Sequence, residues 1–223
     1  NYLVKLLKRD DCNLETTTGA VIAPYTLKGN SWLTSACSVS VLYKCGYLTI
    51  KEYKSRMKLC KLDFPNEEVK RGFLYYLIPH YTSVRPSAAA FEIKSFVEEV
   101  RAGDAEGFMN RLESFFANTP YDLIKDTENH YQNVLFILCN LCGLYTKAEF
   151  HTFNGRVDMT IETADYVYIF EFKYNGTAEE AMEQIKNKNY AQPFMATGKK
   201  IVLIGANFSG ETRNIDKYLI EDL

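Results

Sequence analysis

No stretch of this chain approaches the ~20 apolar residues that a membrane span needs. Asn1 to Asp10 carry no signal-peptide pattern, so a cytoplasmic protein is expected. Charge of one sign is also missing. Lys and Arg total 26 against 28 Asp and Glu, a net charge of −2. Bulk charge therefore cannot attract a polyanion, and any nucleic-acid binding must come from a local patch. The nucleotide-cradling pattern G-x-x-x-x-G-K-[ST] is absent, and Gly198-Lys199-Lys200 is no substitute. The initiator Met is missing as well. The chain opens on the apolar stretch Tyr2-Leu3-Val4-Lys5-Leu6-Leu7, which reads as a start inside a longer protein.

Cysteine is present six times, with Cys139 and Cys142 in a C-x-x-C. A structural zinc site needs a second ligand pair at matching spacing, and the sequence offers none. The pair sits in the apolar run Val134–Leu138 and reads as buried thiols. Hydrophobic residues make up 47% of 223 residues, enough for a packed core in one large or two small domains. The expected division is a mainly helical region over 1–118 and a second domain over 119–223.

The first region reads as a terminal helix over 1–8, a loop over 11–30, and a helix from Leu33 to Lys44 that stops at Gly46. Strands at Tyr47–Ile50 and Arg56–Leu62 form a hairpin. A helix capped by Asn66 follows, then helices over 87–102 and 104–117. A helix followed by a hairpin suggests a winged-helix-like unit. The helix over 33–44 has few basic residues, which makes it a poor groove reader.

The second region changes rhythm. A long helix spans about Tyr121 to Leu141. Strand-like segments follow at Tyr145–Phe153, Arg156–Glu162 and Tyr166–Tyr174, then a helix from Ala178 to about Asn189 and a buried strand at Lys200–Ala206. A last short element covers Ile215–Leu219. The fold class expected is α+β, with an α-β-β-β-α-β mixed sheet flanked by helices.

The chemistry concentrates at two strands. A hairpin centred on Thr163-Ala164 pairs Asp158 with Ile169 and Arg156 with Glu171. Side chains alternate with period two, so Asp158, Glu171 and Lys173 share one face. Diagonal neighbours in such a pair lie roughly 7–8 Å apart, close enough to converge on one ion. Val167 and Ile169 share that face and should pack under the long helix, where an unpaired charge is costly. The bland alternative is a solvated charge network of Arg156, Glu171 and Lys173, because alternating E-x-K is common in ordinary strands. His80, His130 and His151 have no supported ligand spacing and read as structural or solvated.

Gly155-Arg156-Val157-Asp158, Glu171-Phe172-Lys173, Gln184-Ile185 and Tyr190 together resemble the PD-(D/E)XK nuclease domain at the C-terminus of bacterial AAA-ATPase-like proteins. Gly46–Ile50 followed by Pro65–Val69 resembles the region between the ATPase core and that domain. The resemblance implies a restriction-endonuclease-like fold. It also implies a magnesium or manganese ion held by Asp158, Glu171 and the carbonyl of Phe172, with Glu128 as an added acidic ligand. Lys173 would orient the attacking water or stabilise developing charge, and Gln184 would be the polar residue on the following helix. Val157 departs from the Pro of the motif. In a related pattern a Tyr follows the Gln by four positions, but here Lys188 stands there and Tyr190 lies two further on.

The implied partners are nucleic acid, DNA ahead of RNA, and an ATPase domain upstream in the same protein. Lys186, Lys188, Lys199, Lys200 and Arg213 could form the local basic patch. The alternative is a nuclease fold retained as a catalytically silent binding or regulatory module. Oligomeric state is open.

Overall fold

The computed structural model describes residues 2–9, 12–28, 36–117, 127–143, 146–150 and 157–223. Arg156, Gly155 and His151 lie outside them, as do the expected start of the long helix at Tyr121 and the outer ends of the first two strands of the second region. Contacts divide the chain into two compact units, Asn1–Leu77 and Ile78–Leu223.

The first unit holds helices α1 (Tyr2–Arg9), α2 (Leu14–Thr18), α3 (Pro24–Lys28) and α4 (Ala36–Lys44), strands β1 (Val21–Ile22), β2 (Thr49–Lys54) and β3 (Leu59–Asp63), and most of α5 (Glu67–Tyr81). Its sheet runs β1-β3-β2, all antiparallel. In chain order these are two helices, a short strand, two helices, a hairpin and α5. The expected loop over 11–30 is a correction. Asn13 caps α2 through Thr16 N–H, and Val21 and Ile22 pair with Lys61 and Cys60. Helix α4 ends as expected at Gly46, where φ is +79° and Tyr47 N–H returns to Leu42 O. Asn66 Oδ1 accepts from Val69 N–H and caps α5. Phe73 of that helix packs against Tyr47 and Phe64.

The second unit contains the remaining elements: α6 (Ala89–Ala102), α7 (Ala105–Ala117), α8 (Thr127–Cys142), β4 (Lys147–Phe150), β5 (Met159–Glu162), β6 (Tyr166–Tyr174), α9 (Ala178–Asn187), β7 (Lys200–Ser209) and β8 (Asn214–Asp222). Helices α6 and α7, which the sequence groups with the first region, belong to this compact unit. A mixed five-stranded sheet runs β4-β5-β6-β7-β8, with β6 and β7 parallel and the other neighbours antiparallel. The short element expected at Ile215–Leu219 is the full edge strand β8. The architecture is α+β and consistent with a restriction-endonuclease-like fold.

Strand β6 is central, and its two faces differ. Tyr168, Phe170, Phe172 and Tyr174 point one way. Tyr168 donates its hydroxyl proton to Val100 O of α6, Phe170 packs on Phe108 of α7, and Tyr174 meets Tyr131 of α8. Val167 and Ile169 point the other way and pack with Met182, Ile185, Ile201 and Leu203. The Glu171 face therefore lies under α9 rather than under the long helix, which covers the aromatic face instead. This corrects the expected packing. Aromatic rings bury the larger area and so take the side with three helices.

Two local features hold α9 against the sheet. Thr177 and Glu180 form a capping box at its start. Gly205 of β7 pairs with Glu171, and a Cβ there would stand 2.7 Å from Met182 N and 2.8 Å from Ala178 O. Only a residue without a side chain lets the helix backbone come this close. On the other side of the sheet, Arg111 ties α6 to α7. Its Nε donates to Glu99 Oε1 at 2.7 Å and its Nη1 to Glu92 Oε2 at 2.9 Å. Cys139 and Cys142 are buried in α8 as expected, and burial pushes the Cys142 thiol up to about 12.

Candidate active site

The hairpin register differs from expectation by two residues. Thr163 N–H bonds to Tyr166 O, which places the turn one position later, and Thr160 rather than Asp158 faces Ile169. Met159 pairs with Phe170, so continuing the ladder by one residue sets Asp158 opposite Glu171. A shift of two preserves side-chain parity, so both carboxylates keep one face. By that extension they would stand opposite rather than diagonal to each other.

Asp158 stands just before β5. Its Oδ2 accepts from the backbone N–H of Phe172 at 2.8 Å. In a strand the N–H and C=O of one residue point to the same edge, so the Phe172 carbonyl is directed to Asp158's side as well. Glu171 is only 2% exposed. Its Oε1 accepts from Lys173 Nζ at 3.1 Å and from Gln184 Nε2. Lys173 Nζ also donates to Gln184 Oε1 at 2.6 Å, closing a triangle of the three side chains. Glu171 Oε2 is buried and has no hydrogen-bond partner. Burial holds the Glu171 carboxyl above its ordinary range, while Lys173, the Asp158 backbone amide and Gln184 pull it back in part.

A cavity of about 200 Å³ opens on these groups. Asp158, Glu171, Phe172, Lys173 and Tyr174 line it from the sheet, and Glu128, Tyr131 and Gln132 from α8. Residues 126–218 match the family model of the PD-(D/E)XK nuclease superfamily. Over that stretch the chain is similar to the superfamily's nuclease domain. Members of this superfamily are generally dependent on a divalent metal. A protein of Azotobacter chroococcum mcd 1, named "Uncharacterized protein in vnfD 5'region", is 30% identical over 193 residues. The match covers 82% of this chain and 37% of that relative, so the chain spans little more than a third of the relative's length. No solved structure matches the chain.

The donor set at this cavity suits a hard cation. A buried carboxylate oxygen without a donor is expensive unless a cation meets it. Magnesium is commonly held by one or two carboxylates, with waters completing its oxygen shell. Asp158, Glu171 and the Phe172 carbonyl are the groups that could hold such an ion. Among the described residues no group of three His, Cys, Asp or Glu side chains is close enough to hold an ion. Glu128, in the first turn of α8, lines the cavity but is exposed, and its Oε1 takes a long bond of 3.5 Å from Gln132. It stands at the rim rather than with the other two acids.

Tyr190 reaches the polar cluster despite its offset spacing. Asn189 takes a left-handed φ of +52°, Tyr190 N–H returns to Ile185 O, and the phenol comes within 3.4 Å of Gln184 Nε2. Burial raises Tyr190, and the nearby Glu171 and Asp158 charges add to it. Spacing along a straight helix could not reveal this return; the Lys-Asn pair after α9 was its only signal. His130 packs on Tyr81 and does not line the cavity. Two cations of the expected basic patch are already matched, Lys186 with Glu221 and Lys199 with Glu162.

Proposed function

We propose that the nuclease domain hydrolyses phosphodiester bonds, DNA ahead of RNA, with Mg2+ or Mn2+ held by Asp158 and Glu171. The Phe172 carbonyl would be a further ligand, and Glu128 would act from the rim. The observation that carries this reading is the convergence of Asp158, Glu171 and Lys173 on one cavity, with a buried Glu171 oxygen lacking any protein donor. When bound, the ion would polarise a phosphate oxygen and acidify a coordinated water. Lys173 supplies a positive charge at the same cavity, placed to steady the negative charge that grows on phosphorus-bound oxygen as the water oxygen attacks and the P–O ester bond breaks. Gln184 holds the Lys173 ammonium and the Glu171 carboxylate at a fixed separation. Tyr190 buttresses Gln184.

The chain covers little more than a third of its Azotobacter relative, and an ATPase domain upstream is proposed as its partner in the same protein. A cytoplasmic setting is part of the same proposal. Among the described residues no helix is long and apolar enough to cross a membrane.

The test is a manganese titration of the chain run beside plasmid nicking, with a chelator control. Saturable binding with nicking that the chelator stops is the expected result. Tight binding without nicking, also after addition of the upstream region, would favour a silent module. Absence of binding would overturn the site.

A further inference from the structure

We propose that the β2–β3 hairpin of the first unit is a second nucleic-acid contact, gripping the sugar-phosphate backbone. This goes beyond the cutting site and does not depend on its turnover.

Between residues 51 and 61 the chain carries Lys51, Lys54, Arg56, Lys58 and Lys61 against a single carboxylate, Glu52. All five cations are exposed, and none forms an ion pair among the described residues. Lys51 Nζ is held by Pro65 O, and Glu52 faces Lys61 across the strands without bonding to it. Several cations elsewhere do meet a carboxylate, among them Arg111, Lys147, Lys186, Lys199 and Lys217. In a chain of net charge −2, this hairpin concentrates the unmatched positive charge.

The tip is built at some cost. Met57 N–H returns to Lys54 O, and Lys58 takes a left-handed φ of +52°. Glycine or asparagine would adopt that conformation more cheaply, so the sequence keeps a cation where the backbone favours a small residue. Tyr53 and Met57 stand 55% and 69% exposed among the cations. An aromatic ring interleaved with Lys and Arg is suited to a nucleic-acid strand, where the ring stacks or bonds to the sugar-phosphate and the cations displace counterions. A lipid surface would instead call for a broad apolar face, and this tip has two apolar side chains set in charge.

The test is fluorescence anisotropy of labelled duplex and single-stranded DNA with the whole chain, in chelator so that nothing is cut, across a salt series. Replacing Lys54→Ala, Arg56→Ala and Lys58→Ala together should weaken binding at least tenfold at low salt. It should also make the log–log salt slope shallower by about 3, near one unit per lost phosphate contact. The conservative set Lys54→Arg, Arg56→Lys and Lys58→Arg should retain binding. All these positions are exposed, and matched thermal melts establish that each variant folds. Unchanged affinity and slope in the alanine variant would overturn the proposal. So would loss of binding to phosphatidylserine vesicles with DNA binding intact, which would mark a membrane contact. Failure of the cutting site would appear as absent nicking with this binding preserved.

Discussion

Glu99 and Glu171 lie on opposite sides of one sheet and share an unusual condition. Each is largely buried, each has one oxygen bonded and the other, Oε2, without a donor, and burial raises both. Their partners differ. Glu99 meets Arg111, a guanidinium that stays charged, which is itself held by Glu92 and fixed between two helices. Glu171 meets a lysine and a carboxamide on flexible stems, and a second carboxylate, Asp158, opens on the same cavity. The first arrangement spends its charges on joining helices. In the second, Glu171 meets Lys173 while Asp158 accepts the Phe172 amide, and both carboxylates open on one cavity. Burial alone does not separate the two kinds of carboxylate; the groups that hold each one do.

The contrast is open to test, beginning where the effect should be greatest. Asp158→Ala should abolish metal-dependent nicking and weaken manganese binding while leaving the fold intact, because it relieves repulsion between the carboxylates when no ion is bound. Asp158→Asn retains an acceptor for the Phe172 amide and separates lost charge from lost hydrogen bond. Nicking by Asp158→Ala at the wild-type rate would place the activity elsewhere. Lys173→Ala should bind manganese nearly as wild type does yet cut ~10²–10³-fold more slowly, the usual cost of one lost charge-stabilising donor. Single-turnover cleavage beside the manganese titration reads both.

Arg111→Met should do the reverse, sparing nicking and costing about 1–3 kcal/mol of stability, since it strands Glu99 in a partly buried pair. Urea melts measure it, and a comparable loss in Lys173→Ala would erase the distinction between the two sites. The smallest effect concerns pH. Glu99 is held above its ordinary 4.5 by burial, with Arg111 lowering it only in part. The folded state then keeps its proton to higher pH than the unfolded chain does. Stability from this group is full below about 4.5 and declines as pH rises through the raised value. Glu99→Gln should remove that decline, seen as a difference between the wild-type and variant melting curves over the same pH series. Parallel curves would remove Glu99 from the account.

Strand β6 was legible from end to end because its nine residues alternate strictly between an aromatic side and an aliphatic-then-charged side. The placement of its turn was not. The Thr163–Tyr166 bonds that fix it engage a threonine side chain as well as backbone, and hydrophobic alternation is silent about both. Short elements such as β1 and α2 escaped because two and five residues carry too little periodicity. The edge strand β8 was shortened because Asn214 at one end and Glu221 and Asp222 at the other carry no apolar signal, while their backbone still pairs with β7. The face carrying Glu171 was assigned to the wrong helix, because alternation says which residues travel together and not what covers them. Asp158, Glu171, Lys173 and Gln184 were each named from the sequence, and the structure places all four within one connected set of contacts. Tyr190's return was hidden in a single left-handed residue.

Gly205 makes the distance between helix and sheet a dimension of the chemistry. Gln184 reaches Glu171 and Lys173 only as far as α9 sits down on β7, and the limit on that approach is the absence of one methyl group beside Met182 and Ala178. Gly205→Ala would act as a shim. It touches no polar atom of the cluster, yet it lifts the whole helix, so that a carboxamide, a lysine and a phenol lose their alignment together. The tolerance of the site is set by the smallest residue in the layer beneath α9.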